Sequence, residues 1–123
     1  ADKAAMEAQT NENTYVAPDF VNHSPGVAKG WIKFNGTGTI AINASHNVAS
    51  ITDDGTGTYD VVWATDFSSA NYGISMISAA TFHIYEGFSA APTAGITEVK
   101  TTSPSDDAAA DSSRIYVTAH GDQ

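Results

Sequence analysis

The chain has 123 residues, no cysteine, and a formal net charge of −9 from 14 acidic and 5 basic residues. This length corresponds to one domain, and the lack of cysteine excludes disulfides, thiolate nucleophiles and cysteine-ligated zinc. The acidic balance argues against binding to nucleic acid or to an anionic membrane surface, because both depend on Lys and Arg.

The N-terminal residues 1–29 differ in kind from the rest. Residues 1–9 are rich in Ala, Lys, Glu and Met and predict a short helix. Residues 16–23 predict one further helical turn, with Pro18 at a first helical position. Two such short helices cannot build a core, so we expect a stem that needs the β domain or other copies of itself. The first methionine is Met6 and no signal-peptide pattern is present. We therefore expect the chain to be a fragment or processed end of something longer.

From Gly30 onwards the hydrophobic period is two, and the sequence predicts a series of short β-strands. They cover residues 31–34, 39–42, 48–52, 59–64, 71–78, 81–85, 96–102 and 114–119. Runs of β-branched and aromatic residues at this spacing, separated by Gly, Asn and Asp, are typical of a sandwich or barrel. We predict an all-β head domain over residues 30–123, an antiparallel β-sandwich of about seven or eight strands. The pairs Asn35-Gly36 and Asp54-Gly55 predict hairpin turns, because both tolerate positive φ.

Residue parity predicts which faces of two strands are buried. The predicted inward residues are Tyr59, Val61, Trp63, Ile115, Val117 and Ala119. The opposite faces carry Thr, Ser and aromatic residues with little charge, so we expect a neighbouring subunit or a ligand to cover them.

No motif in the sequence predicts catalysis or a cofactor, and we expect no enzyme activity. The repeated Gly-Thr-Gly-Thr at 36–39 and 55–58 lacks the Lys-Ser/Thr and helix of a phosphate loop, so hairpin turns are the preferred interpretation. The carboxylate pairs at 53–54 and 106–107 fit neither a calcium loop nor glycosidase carboxylates facing across a cleft. With Asp111, they are interpreted as parts of solvated turns. No nucleophile-elbow motif frames a serine.

The four histidines predict no metal site within one chain, because no two have the spacing that places them on one strand or helix face. A three-fold assembly would bring three copies of one histidine around its axis. His23 and His120 are the candidates for such a position.

Binding is predicted in the aromatic residues and long loops of the second half. Most aromatic side chains are expected in the core or in subunit contacts. The loops at 86–95 and 102–113 are long, and such loops at the end of a sandwich often carry binding residues. The candidate receptor-binding residues are Tyr85, Phe88, Tyr116, Asp106 and Asp107.

Three segments resemble bacteriophage and prophage tail-fibre proteins. Residues 1–18, ADKAAMEAQTNENTYVAP, are similar to the junction A-x-x-A-E-M-E-A-G-T-x-x-x-x-x-V-T-P, with Gln9 and Ala17 replacing its Gly and Thr. Residues 23–42, HSPGVAKGWIKFNGTGTIAI, resemble the opening hPGVAKAWVNFNGTGTVAI of a distal fibre domain, and residues 47–61, NVASITDDGTGTYDV, resemble NVSSITDNGTGDYTV. The likeness covers about the first half of the chain.

This resemblance implies a homotrimer at the distal part of a tail fibre, located in the virion and joined to other tail proteins. It further implies recognition of a glycan or protein on the host surface, without membrane insertion. Two alternatives stay open. One is a structural virion part, such as a decoration or collar component, with no receptor, and the other is a carbohydrate-binding module of a secreted enzyme.

Overall fold

The computed structural model describes residues 2–8, 15–79, 81–87 and 90–123. Two short helices precede eight strands in this part of the chain. The helices are α1 (Lys3–Ala8) and the 3-10 helix η1 (Pro18–His23). The strands are β1 (Gly30–Asn35), β2 (Ala41–His46), β3 (Val48–Gly55), β4 (Thr58–Trp63), β5 (Gly73–Ser78), β6 (His83–Glu86), β7 (Ile96–Thr102) and β8 (Ile115–His120). Neither helix has the length and hydrophobicity that a membrane crossing requires in this described part.

The strands form two four-stranded antiparallel sheets. Sheet A has the order β2-β1-β8-β5, and sheet B has the order β3-β4-β7-β6. The chain passes from sheet A to sheet B at Asn47, whose φ of 55° turns it between β2 and β3. The architecture is thus mostly β with two antiparallel sheets, as the sequence predicts. The largest shift from the predicted bounds is in β2, which ends at His46 rather than Ile42 because it continues to pair with β1 as far as His46. Its start also moves, from Thr39 to Ala41, because the preceding loop takes up residues 36–40.

The core lies between the central strands of the two sheets, where the inward residues predicted from parity are all buried. Its aromatic members pack edge to face: Phe34 meets Tyr59 at 5.2 Å and Trp63 meets Phe67 at 5.8 Å between ring centroids. The Trp63 Nε1 donates to Thr97 Oγ1 over 3.1 Å, so the one polar atom of this indole is satisfied inside the core.

Both Gly-Thr-Gly-Thr segments lie at hairpins, as the sequence predicts, between β1 and β2 and between β3 and β4. Positive φ occurs at Gly38, Gly55 and Gly57, and not at Asn35, Gly36 or Asp54. Gly36 is required for a different reason: a Cβ there would lie 2.3 Å from the Tyr59 hydroxyl. The predicted hairpins at Asn35-Gly36 and Asp54-Gly55 are both present, but packing against Tyr59, and not a positive φ, selects Gly36.

The two helical pieces contact the end of the sandwich where the chain terminates. Lys3 Nζ lies 3.5 Å from Glu7, 3.6 Å from Asp122 and 3.3 Å from the carbonyl oxygen of Gln123. Lys29 is 3% exposed, and its ammonium donates to the carbonyl oxygens of Asn22 and Ser24 at the end of η1. Burial lowers the pKa of Lys29 below its ordinary value. Lys29 thereby ties η1 to the start of β1.

Candidate functional site

The outward side of sheet A is a continuous surface, called here the sheet A face. Strand pairing places Trp31 beside Thr118 and Lys33 beside Tyr116, and it places Ser75 beside Thr118 and Ile77 beside Tyr116. Paired residues share one side of a sheet, and the alternate residues of these strands are buried or half-buried. The sheet A face therefore consists of Trp31, Lys33, Ser75, Ile77, Tyr116 and Thr118.

Large apolar side chains are exposed on the sheet A face. Ile77 is 63% exposed, Trp31 39% and Tyr116 37%. The Lys33 ammonium lies 5.5 Å from the centroid of the Tyr116 ring, a cation–π contact that covers part of that ring. Contiguous exposed apolar residues of this kind mark interaction surfaces.

The two sheets differ sharply in charge. No Asp or Glu occurs in the four strands of sheet A. The strands of sheet B carry five carboxylates. These are Asp53, Asp54, Asp60, Glu86 and Glu98. The chain therefore has one apolar, carboxylate-free sheet and one acidic sheet, and this division is not visible from the net charge alone.

Sheet B carries a hydrogen-bonded group, called here the Asp107 cluster, which consists of His83, Tyr85, Thr102 and Asp107. Asp107 Oδ1 accepts from the Tyr85 hydroxyl over 3.1 Å and from the Thr102 hydroxyl, and His83 Nδ1 lies 3.2 Å from the same oxygen. The β6–β7 register creates this arrangement by pairing His83 with Thr102 and Tyr85 with Lys100.

Asp107 is exposed, and backbone hydrogen bonds hold the loop that carries it. Asp107 has a φ of 54°, its N–H donates to the Ser103 carbonyl oxygen over 3.0 Å, and the Ser103 N–H donates to Ala108 over 2.8 Å. The three side-chain partners hold the pKa of Asp107 below its ordinary value, with the Thr102 hydroxyl as the largest cause. The hydrogen bond between the Tyr85 hydroxyl and Asp107 raises the pKa of Tyr85. Asp107 is therefore an ionised acceptor near neutral pH. Among the described residues, no donor reaches its second oxygen, Oδ2.

The structure brings together only part of the predicted binding set. Tyr85 and Asp107 meet in the Asp107 cluster, 22 residues apart in sequence. Tyr116 lies on the opposite sheet, and Phe88 lies outside the described residues. The exposed carboxylate of Asp106 accepts from the Ala108 N–H over 3.1 Å and so closes a turn next to the cluster.

Asp111 differs from the solvated turn residue that the sequence predicts. It is only partly exposed, and its Oδ1 accepts from the Tyr59 hydroxyl over 2.8 Å and from the Gly57 N–H over 2.7 Å. Burial and the Asp111 contact raise the pKa of Tyr59. Asp111 thus fastens the loop after β7 to the β3–β4 hairpin, which supports the segment that carries Asp107.

The carboxylates of Asp54 and Asp60 form a pair on sheet B. Strand pairing places Asp60 opposite Thr52 on β3 and opposite Glu98 on β7. Partial burial, a hydrogen bond with Asp54 and the nearby charge of Glu98 raise the pKa of Asp60 to about 6. No local pattern in the sequence predicts the contact between Asp54 and Asp60, because five residues that include a hairpin turn lie between them.

His23 and His120 line one cleft of about 280 Å³ together with Glu7, Lys29 and Asp122. Within the described ranges, no group of three His, Asp or Glu side chains has a geometry that could hold a metal ion. The suggested histidine position on a three-fold axis stays a prediction, since it concerns an assembly and not one chain.

Comparisons of the chain with protein-family models, with curated protein sequences and with solved structures gave no match. The resemblance to tail-fibre proteins therefore rests on the sequence phrases, and function must be argued from the surfaces described above.

Proposed function

We propose that this chain is the distal head domain of a phage tail fibre, which acts as a homotrimer in the virion and binds a host-surface glycan or protein. The observation that carries the proposal is the Asp107 cluster, in which the exposed side chains of His83, Tyr85 and Asp107 are held by hydrogen bonds at the edge of sheet B. It comes in addition to the tail-fibre phrases in residues 1–18, 23–42 and 47–61.

The chemistry of the Asp107 cluster suits a hydroxyl-bearing ligand. Asp107 Oδ2 offers an ionised acceptor that hydroxyl groups can reach, and the half-exposed Tyr85 ring offers an apolar surface beside it. Internal hydrogen bonds already fix these side chains, so little rotamer freedom is lost on binding. Three weak sites on one trimer would bind a cell surface with much higher avidity than a single site.

The non-receptor virion component remains the second candidate function. The carboxylate-free, apolar sheet A face favours it, because such a face serves assembly alone equally well. The two candidates differ only in whether the head binds cells.

The test is binding of the fluorescently labelled chain to a panel of bacterial strains. We expect saturable binding to some strains and a loss of about tenfold or more for Asp107→Asn, equivalent to ~1.4 kcal/mol per tenfold. Asn tolerates the positive φ at residue 107, so the loop keeps its shape. Asp19→Asn makes the same charge change at an exposed position of the stem and is the matched control.

Each outcome of the strain-binding test either distinguishes the two candidate functions or locates the receptor contact. Binding to no strain would support the structural candidate. Binding that Asp107→Asn leaves unchanged would place the receptor contact outside the Asp107 cluster.

A further inference from the structure

We propose that the sheet A face, together with the edge strand β5, is the contact surface for a second copy of this chain. The inference rests on the trimer of the proposed function and adds to it which side of the sandwich is buried between subunits. Three independent features of sheet A support it: its apolar residues, its charge and its edge.

The apolar residues of the sheet A face leave much of their surface exposed to water in a single chain. Ile77 is 63% exposed although it lies within a regular strand, and it stands next to Tyr116 on β8. Trp31 lies one strand further along and is 39% exposed. The part of each side chain that water contacts would be covered by a flat partner surface.

The charge distribution favours a second copy of the chain as the partner that contacts the sheet A face. Chains of net charge −9 repel each other, and a three-fold assembly with sheet B turned towards its axis would bring the strand carboxylates of all copies together. The strands of sheet A carry no carboxylate. Lys33 lies on this face, and the exposed Arg114 immediately precedes β8. Copies can therefore approach through sheet A without opposing carboxylates.

The edge formed by β5 lacks the features that keep edge strands apart. Its sequence, Gly73-Ile-Ser-Met-Ile-Ser78, contains no charged residue and no proline, and it pairs with β8 over six residues without a register shift. The edge strand β3 of sheet B differs, since it carries Asp53 and Asp54 and has two register shifts. Sheet A is thus open to a neighbour at β5, whereas sheet B is protected at β3.

A bound saccharide explains the sheet A face less well than a second copy does. The Lys33 ammonium already lies over the Tyr116 ring, where a sugar would have to stack, and the most exposed residue is the aliphatic Ile77. With sheet A buried between subunits, Tyr116 becomes a subunit contact, and the Asp107 cluster on sheet B faces outwards. In this arrangement, Tyr116 serves the contact between subunits, and Tyr85 and Asp107 serve the binding of the receptor.

The test is sedimentation velocity of three proteins: the wild type, Ile77→Glu and Ile96→Glu. Ile96 is 38% exposed on the outward side of sheet B, next to Val62, so the same substitution there is a matched control. We expect a trimeric wild type, a trimeric Ile96→Glu and an Ile77→Glu that is monomeric at concentrations where the wild type is fully assembled. Circular dichroism checks that each variant is folded. Should Ile77→Glu fail to fold, Ser75→Glu, an exposed change on the same face, is read by the same criterion.

The outcomes separate this inference from the proposed function. A trimeric wild type with an equally trimeric folded sheet A variant would overturn the surface assignment and leave the trimer standing. An Ile96→Glu variant that dissociates as readily would also overturn it. A monomeric wild type would overturn the proposed trimer and this inference with it.

Discussion

Replacing Asp60 by Asn should stabilise the fold at neutral pH. Asp60 lies on β4 between Thr52 and Glu98, and its pKa is raised to about 6 by partial burial and by Asp54. At pH 7 the folded protein must therefore hold a half-buried carboxylate ionised close to two others. An amide at this position can donate to the Asp54 carboxylate and removes one negative charge.

The sign and size of this effect on the free energy of unfolding follow from the different proton affinities of Asp60 in the folded and unfolded chain. The folded-state pKa of about 6 lies above the ordinary value of 3.8, so the folded chain holds the proton more tightly than the unfolded chain. Stability from this group is fully present below about pH 4 and is lost as the pH rises to about 6. At 1.36 kcal/mol per pKa unit the loss is at most ~3 kcal/mol. Since the exposed Asp54 shares the proton and solvent screens the pair, we expect a gain of ~1 kcal/mol for Asp60→Asn at pH 7.

Urea unfolding at pH 4, 5, 6, 7 and 8 measures this effect. The difference in unfolding free energy between Asp60→Asn and the wild type should be larger at pH 7 than at pH 4, with most of the change between pH 4 and 6. Asp19→Asn, on the exposed stem, should show no such pH dependence. A variant that is less stable than the wild type at pH 7, or a difference that does not vary with pH, would refute the reasoning.

Three further substitutions test the contacts that hold the fold. Tyr59→Phe removes the hydroxyl that donates to Asp111 and should cost ~1–2 kcal/mol in urea unfolding; an unchanged midpoint would contradict the role given to Asp111. Gly57→Ala should lower the free energy of unfolding by at least ~2 kcal/mol, because the φ of Gly57 is 68° and a Cβ would lie 2.3 Å from a backbone oxygen. Gly38→Ala should lower it by only ~1 kcal/mol, since open space surrounds that position. Equal effects of the two substitutions would contradict this account of the two glycines. Lys29→Met leaves two carbonyl oxygens of the stem without their ammonium donor, so limited proteolysis should cleave the stem faster while the β domain stays resistant; unchanged cleavage would show that Lys29 does not anchor the stem.

The fold was predictable from the sequence because three of the four central strands, β1, β4 and β8, alternate between buried residues and more exposed ones, whereas β7 is buried at most positions. Tyr59, Val61 and Trp63 are all buried as parity predicts. The start of β2 was not predictable, since Thr39 and Ile40 continue the alternation although they lie in a loop. A two-residue period cannot distinguish an extended loop from the strand that it leads into.

The site was much less predictable than the fold. Tyr85 and Asp107 could be named as candidates by residue type, but their contact depends on the register of β6 against β7 and on the path of the following loop. Asp111 carries no local signal for its bonds to Tyr59 and Gly57, since its partners are more than 50 residues away. Lys29 likewise resembles any solvated lysine until η1 places two carbonyl oxygens around it. Contacts of this kind follow from tertiary structure alone.

The mass of the purified chain in solution tests the central claim most directly, because host recognition by weak sites depends on assembly. Light scattering coupled to size exclusion should give three times the 12.8 kDa mass of one chain. This mass should persist on dilution into the low micromolar range. A mass of one chain at every concentration would contradict the account.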